Sequence, residues 1–74
     1  MIGFVVRIEK HARDLLSDSF SRKPHVHVHA VRDDQIILLL DTDDIHVIAQ
    51  NTKDINEMQG VVGVYPIFSP DSLP

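Results

Sequence analysis

The run Ile36-Ile37-Leu38-Leu39-Leu40 constrains this chain more than any other stretch. Five consecutive large aliphatics between a polar tetrapeptide and an acidic cluster suit a strand, because a helix usually needs ten or more residues. Neighbouring side chains of a strand point to opposite faces. This strand is therefore apolar on both sides, and each side needs a cover.

The flanking sequence supplies one cover. Ile2 to Glu9 is β-branched and aromatic, so it reads as a strand with Phe4, Val6 and Ile8 on one face and Gly3, Val5 and Arg7 on the other. From His11 to Ser21 the period changes. Ala12, Leu15, Leu16 and Phe20 follow helical spacing, and Lys23-Pro24 marks the end of that helix. His25 to Val31 alternates, with His25, His27 and His29 on one face and Val26, Val28 and Ala30 on the other. Arg32-Asp33-Asp34-Gln35 has turn chemistry, so this strand and Ile36–Leu40 form a hairpin.

Asp41, Asp43 and Asp44 offer N-caps for a second helix, whose apolar positions are Ile45, Ile48, Ala49, Thr52, Ile55 and Met58. Gly60 is the candidate left-handed C-cap. Val61 to Phe68 is the last strand, and Pro66 makes it an edge. Ser69 to Pro74 reads as a flexible tail, leaving 1–68 as one domain.

The order strand, helix, strand, strand, helix, strand, with right-handed crossovers, predicts a ferredoxin-like α+β sandwich. Its four antiparallel strands would run 4-1-3-2 with both helices on one face. The aliphatic strand is then central, and one of its faces is left uncovered. With an even hairpin loop, Val31 faces Ile36, Ala30 faces Ile37 and His29 faces Leu38, and paired residues share a face. Val26, Val28, Ala30, Ile37 and Leu39 then point to the helices. The uncovered face would hold Val5, Arg7, His27, His29, Val31, Ile36, Leu38, Leu40, Tyr65 and Ile67. An odd loop would swap the assignments along the third strand. A contiguous apolar patch of this kind marks an interaction site; a second copy of the chain is the competing cover. Substituting Leu38→Glu is expected to abolish binding there without unfolding the domain.

Several function classes fall away. The chain has no Cys, which removes disulfides, thiolate catalysis and thiolate metal sites. The three alternating histidines could share a metal, but a structural zinc site needs four ligands, and a solvated His-rich strand face is the simpler reading. No nucleophile elbow or glycine-rich phosphate loop occurs, so no catalytic residue, metal or cofactor is expected. The net charge of −4 opposes a nucleic-acid partner and favours a cationic one. No signal peptide or membrane-length apolar run is found, which points to a cytoplasmic domain.

Pro24-His25-Val26-His27-Val28-His29-Ala30-Val31, the turn and the aliphatic strand resemble the central segment of the NapD family. Met58-Gln59-Gly60-Val61-Val62-Gly63-Val64-Tyr65-Pro66-Ile67-Phe68 is similar to that family's closing segment. The chain departs from the family pattern at Gly3-Phe4-Val5-Val6, where serines often precede the strand, and at Pro66. The resemblance implies a cytoplasmic chaperone, not an enzyme. Such a chaperone binds the twin-arginine signal peptide of a molybdenum-dependent nitrate reductase as a helix on the sheet, and delays export until the cofactor is inserted. The competing class is a small-molecule regulatory or dimerisation module of the same fold, of the amino-acid-sensing type. Its glycine-rich ligand turn and attached DNA-binding region have no counterpart here.

Overall fold

A computed structural model describes residues 1–67. The expected flexible tail, and Phe68 as the domain's last residue, lie outside the described residues. The elements are β1 (Ile2–Ile8), a 3-10 turn (Lys10–Ala12), α1 (Arg13–Ser21), β2 (Val26–Val31), β3 (Gln35–Leu40), α2 (Ile45–Asn56) and β4 (Val61–Ile67). The strands form one antiparallel sheet in the order β2-β3-β1-β4, which is the expected 4-1-3-2 read from the other edge. This is the ferredoxin-like sandwich.

The alternation of β1 decides which side of the sheet is the inside. Phe4, Val6 and Ile8 are buried and join one cluster with Leu16 and Phe20 of α1 and Ile55 of α2. Ile48 and Met58 pack against that cluster. Both helices therefore cover the same face. Pro66 does sit on an edge strand, where its missing N–H breaks no ladder on the outer side.

The helix ends show how local chemistry sets boundaries. Asp44 is extended at φ −75°, ψ 114°, and its carboxylate accepts from the backbone N–H of His46 at 2.8 Å and of Val47 at 3.4 Å. Two otherwise unpaired donors at the start of α2 are thereby satisfied. Gly60 adopts φ +95°, but it lies beyond the helix, whose C-cap is Glu57. Its role differs from the expected C-cap. A Cβ at Gly60 would come within 2.6 Å of the Ala12 Cβ, so the glycine lets the β4 approach press against the start of α1. The Gly60 carbonyl also accepts from the Glu9 N–H at 2.9 Å.

Other expectations need correction. Leu15 and Ile45 continue the apolar spacing of their helices, yet each is 72% exposed. Both sit to one side of the residues their helices bury, Leu16 and Phe20 in α1 and Ile55 in α2. His25 does not share a strand face with His27 and His29. It precedes β2 in a left-handed conformation, φ +65°, and its carbonyl accepts from the Asp41 N–H at 2.7 Å.

Candidate binding face

The hairpin fixes the geometry of the face away from the helices. Arg32 donates to the Gln35 carbonyl at 2.8 Å, leaving Asp33-Asp34 as a two-residue loop. Val31 pairs with Ile36 and Ala30 with Ile37, as an even loop requires. The ladder then skips a residue: Val28, not His29, pairs with Leu38. His29 is a β-bulge, with no partner on β3.

This bulge reconciles two phases of β2. Below it, Val26 and Val28 lie on the core side with Leu40 and Leu38. Above it, the hairpin turn would otherwise have sent those valines to the uncovered side. β1 pulls in the same direction, because Phe4 pairs with Leu38, Val6 with Ile36 and Ile2 with Leu40. Ile36, Leu38 and Leu40 therefore point to the helices, each 0% exposed. The expectation that they line the uncovered face is overturned. The expectation that Ile37, Leu39 and Ala30 face the helices fails with it.

The uncovered side is instead built in rows across the sheet. The first is His27, Leu39, Gly3 and Ile67; the second is Ala30, Ile37, Val5 and Tyr65; the third is Gln35, Arg7 and Gly63. Ile37 is fully buried yet stands outside the core cluster, so it forms the floor of this second apolar surface. Of the expected residues, Val5, Arg7, His27, Tyr65 and Ile67 are on this face. His29 is exposed at the bulge. Val31 is 44% exposed at the hairpin end and shares the phase of Ile36. Sequence reasoning missed Ile37, Leu39, Ala30 and Gln35. No signal in the sequence alone finds them, because the assignment needs the β1–β3 register, which pairs Leu39 with Gly3 and Ile37 with Val5.

Tyr65 is 53% exposed, and its side chain folds back along its own strand. Its hydroxyl lies 2.7 Å from the point a Gly63 Cβ would occupy, so the ring lies over the bare backbone of the third row. Charges mark the two ends. Beyond the third row Arg7 Nη2 stands 3.7 Å from Asp34 Oδ2, and beyond the first row His27 Nε2 stands 3.7 Å from Asp41 Oδ2. All four side chains are about half or more exposed, so these pairs are loose and weak.

The described residues contain no group of three or more His, Asp or Glu side chains able to hold a metal ion. On the helix side, an open groove of about 570 Å³ runs between α2 and the β1–β4 pair, past Phe4, Ile48, Thr52, Val64 and Pro66. Among the described residues, no helix is long and apolar enough to cross a membrane.

Fold and face together define a class: a ferredoxin-like domain whose sheet carries helices on one side and an apolar, charge-ended surface on the other. Within that class, the sequence model of the NapD protein family matches residues 1–71, and the chain belongs to the NapD family. The solution structure of the E. coli Tat proofreading chaperone NapD superimposes with a TM-score of 0.83 at 17% sequence identity, over 92% of this chain and 74% of that one. At that identity the likeness bears on the fold. No curated protein matches the chain at a significant level.

Proposed function

We propose that this protein is a Tat proofreading chaperone of the NapD type. It binds the twin-arginine signal peptide of a molybdenum-dependent nitrate reductase and delays export until the cofactor is inserted. The observation that carries this reading is the second apolar surface of Val5, Ile37, Leu39, Tyr65 and Ile67, on the side of the sheet opposite both helices. Family membership and the fold shared with the E. coli Tat proofreading chaperone NapD support it.

The physical account is one of desolvation and orientation. An amphipathic peptide laid on this surface would remove its own apolar side chains and those of Val5, Leu39, Tyr65 and Ile67 from water, over the already buried Ile37, which supplies affinity. The charged rim would contribute orientation and association rate. The protein acts as a binder in the cytoplasm, with no catalytic step and no cofactor of its own. Its net charge of −4 suits a cationic peptide.

Titration calorimetry with a twin-arginine signal peptide and its Arg-Arg→Lys-Lys variant tests the reading. Binding of the first and weaker binding of the second is expected. Lack of binding to any such peptide sinks it. Sedimentation of the free chain tests the competing cover, a second copy on the same face.

A further inference from the structure

The uncovered face is electrically polar along its strands, and that polarity has a consequence for the direction of a bound peptide. At the first row, Asp41 follows Leu40 directly, and it continues the phase of Leu39, so its carboxylate stands on the uncovered side beside His27. Among the described residues, no Arg or Lys lies within salt-bridge distance of Asp41. Asp43 and Asp44 follow in the same loop; Asp43 meets the Met1 ammonium at 3.2 Å, and Asp44 caps α2.

The opposite end is different. At the third row Arg7 projects from the face, with Asp34 already beside it, and Asp33 is held by Arg13 at 3.0 Å. Arg32 adds a further cation in the hairpin. A guanidinium arriving here would meet Asp34 only in company with the like charge of Arg7. A guanidinium arriving at Asp41 would meet a carboxylate whose neighbour is an imidazole.

We propose that the face binds a signal peptide in one direction, with its arginine pair over Asp41 and its following apolar turn lying toward Arg7. This rests on the reading of the protein as a signal-peptide binder. The dimensions agree with it. From Asp41 to Gln35, the partner of Arg7, is six strand residues, or roughly 20 Å, which a helix spans in about thirteen residues. Such a helix, entering at Asp41, would cross Leu39, Ile37, Val5 and Tyr65 and end at Arg7. Its dipole would agree as well. The positive N-terminal end would lie at the carboxylate, and the negative C-terminal end at the guanidinium of Arg7. The reverse direction sets both charge and dipole against the protein.

Two measurements on the intact chain decide this. The first compares Asp41→Asn with Asp34→Asn in titrations of the twin-arginine peptide, after circular dichroism shows both variants folded. Asp41→Asn should weaken binding about fivefold, the upper end for an exposed charge pair, and Asp34→Asn by less than about twofold. The second attaches a nitroxide to the peptide's N-terminus and reads broadening of backbone amides. Loss of the His27, Leu39 and Asp41 signals, with Arg7 and Gln35 spared, supports the direction. Equal effects of the two substitutions, a larger effect at Asp34, or broadening at Arg7 overturns it while leaving the binding face intact. If the unmodified chain binds no such peptide, the functional reading fails, and the direction with it.

Discussion

Leu38 lies opposite Phe4 across the β1–β3 ladder, and both side chains point beneath the helices, exposed by 0% and 3%. Its chain neighbour Leu39 lies opposite Gly3 and points the other way. Two adjacent leucines thus belong to different surfaces of the protein. Leu38→Ala should cost about 2–5 kcal/mol, the range for a truncated core leucine. Leu38→Glu should abolish folding, since burying a carboxylate there exceeds what a small domain can absorb. This reverses the expectation drawn from the sequence. Urea denaturation followed by circular dichroism checks both.

Leu39→Glu is the corresponding test of the surface. The variant should fold with stability close to the parent, because the glutamate can reach water, yet lose most of its affinity for the signal peptide. A Leu39→Glu chain that is unfolded, or that binds as tightly as the parent, would contradict the assignment of Leu39 to the uncovered face.

Gly60 and Gly63 should respond differently to alanine. At Gly60 the left-handed backbone and the contact with the Ala12 Cβ act together, and neither partner can swing away. A loss of about 2 kcal/mol or more is expected in thermal melts. At Gly63 the clash is with the end of the Tyr65 side chain, which can rotate outward, so about 1 kcal/mol or less is expected. Tyr65 is the only tyrosine, and the chain has no tryptophan. Intrinsic fluorescence should therefore change in Gly63→Ala even where stability does not.

The cap of α2 gives a local prediction. Asp44→Ala removes the acceptor of two helix N–H groups and should cost about 1 kcal/mol. Asp43→Ala, one residue earlier, removes a side chain that is 99% exposed and should cost less than about 0.5 kcal/mol. Equal losses in chemical denaturation would mean that charge near the helix start, and not the hydrogen bonds, stabilises α2.

The element order was legible because each element carries its own period. Phe4, Val6 and Ile8 mark a strand, Leu16 and Phe20 a helix face, and Asp44 and Pro66 a helix start and a sheet edge. The left-handed glycine at position 60 could be read as a special backbone position. Its reason could not, since the Ala12 contact joins residues far apart in sequence.

By itself the sequence determined the six main elements, their ferredoxin-like arrangement and the existence of an apolar strand with two faces to cover. It could not determine which face of that strand met the helices. Ile36 to Leu40 is aliphatic at every position, so burying either set of side chains satisfies the strand equally well. Only tertiary structure broke that symmetry. Pairing with β1, whose Phe4, Val6 and Ile8 are the residues buried beneath the helices, drew Ile36, Leu38 and Leu40 inward, and the bulge at His29 let β2 follow. The uncovered face was left to Ile37 and Leu39 because register, unlike periodicity, is a property of two strands and not of one.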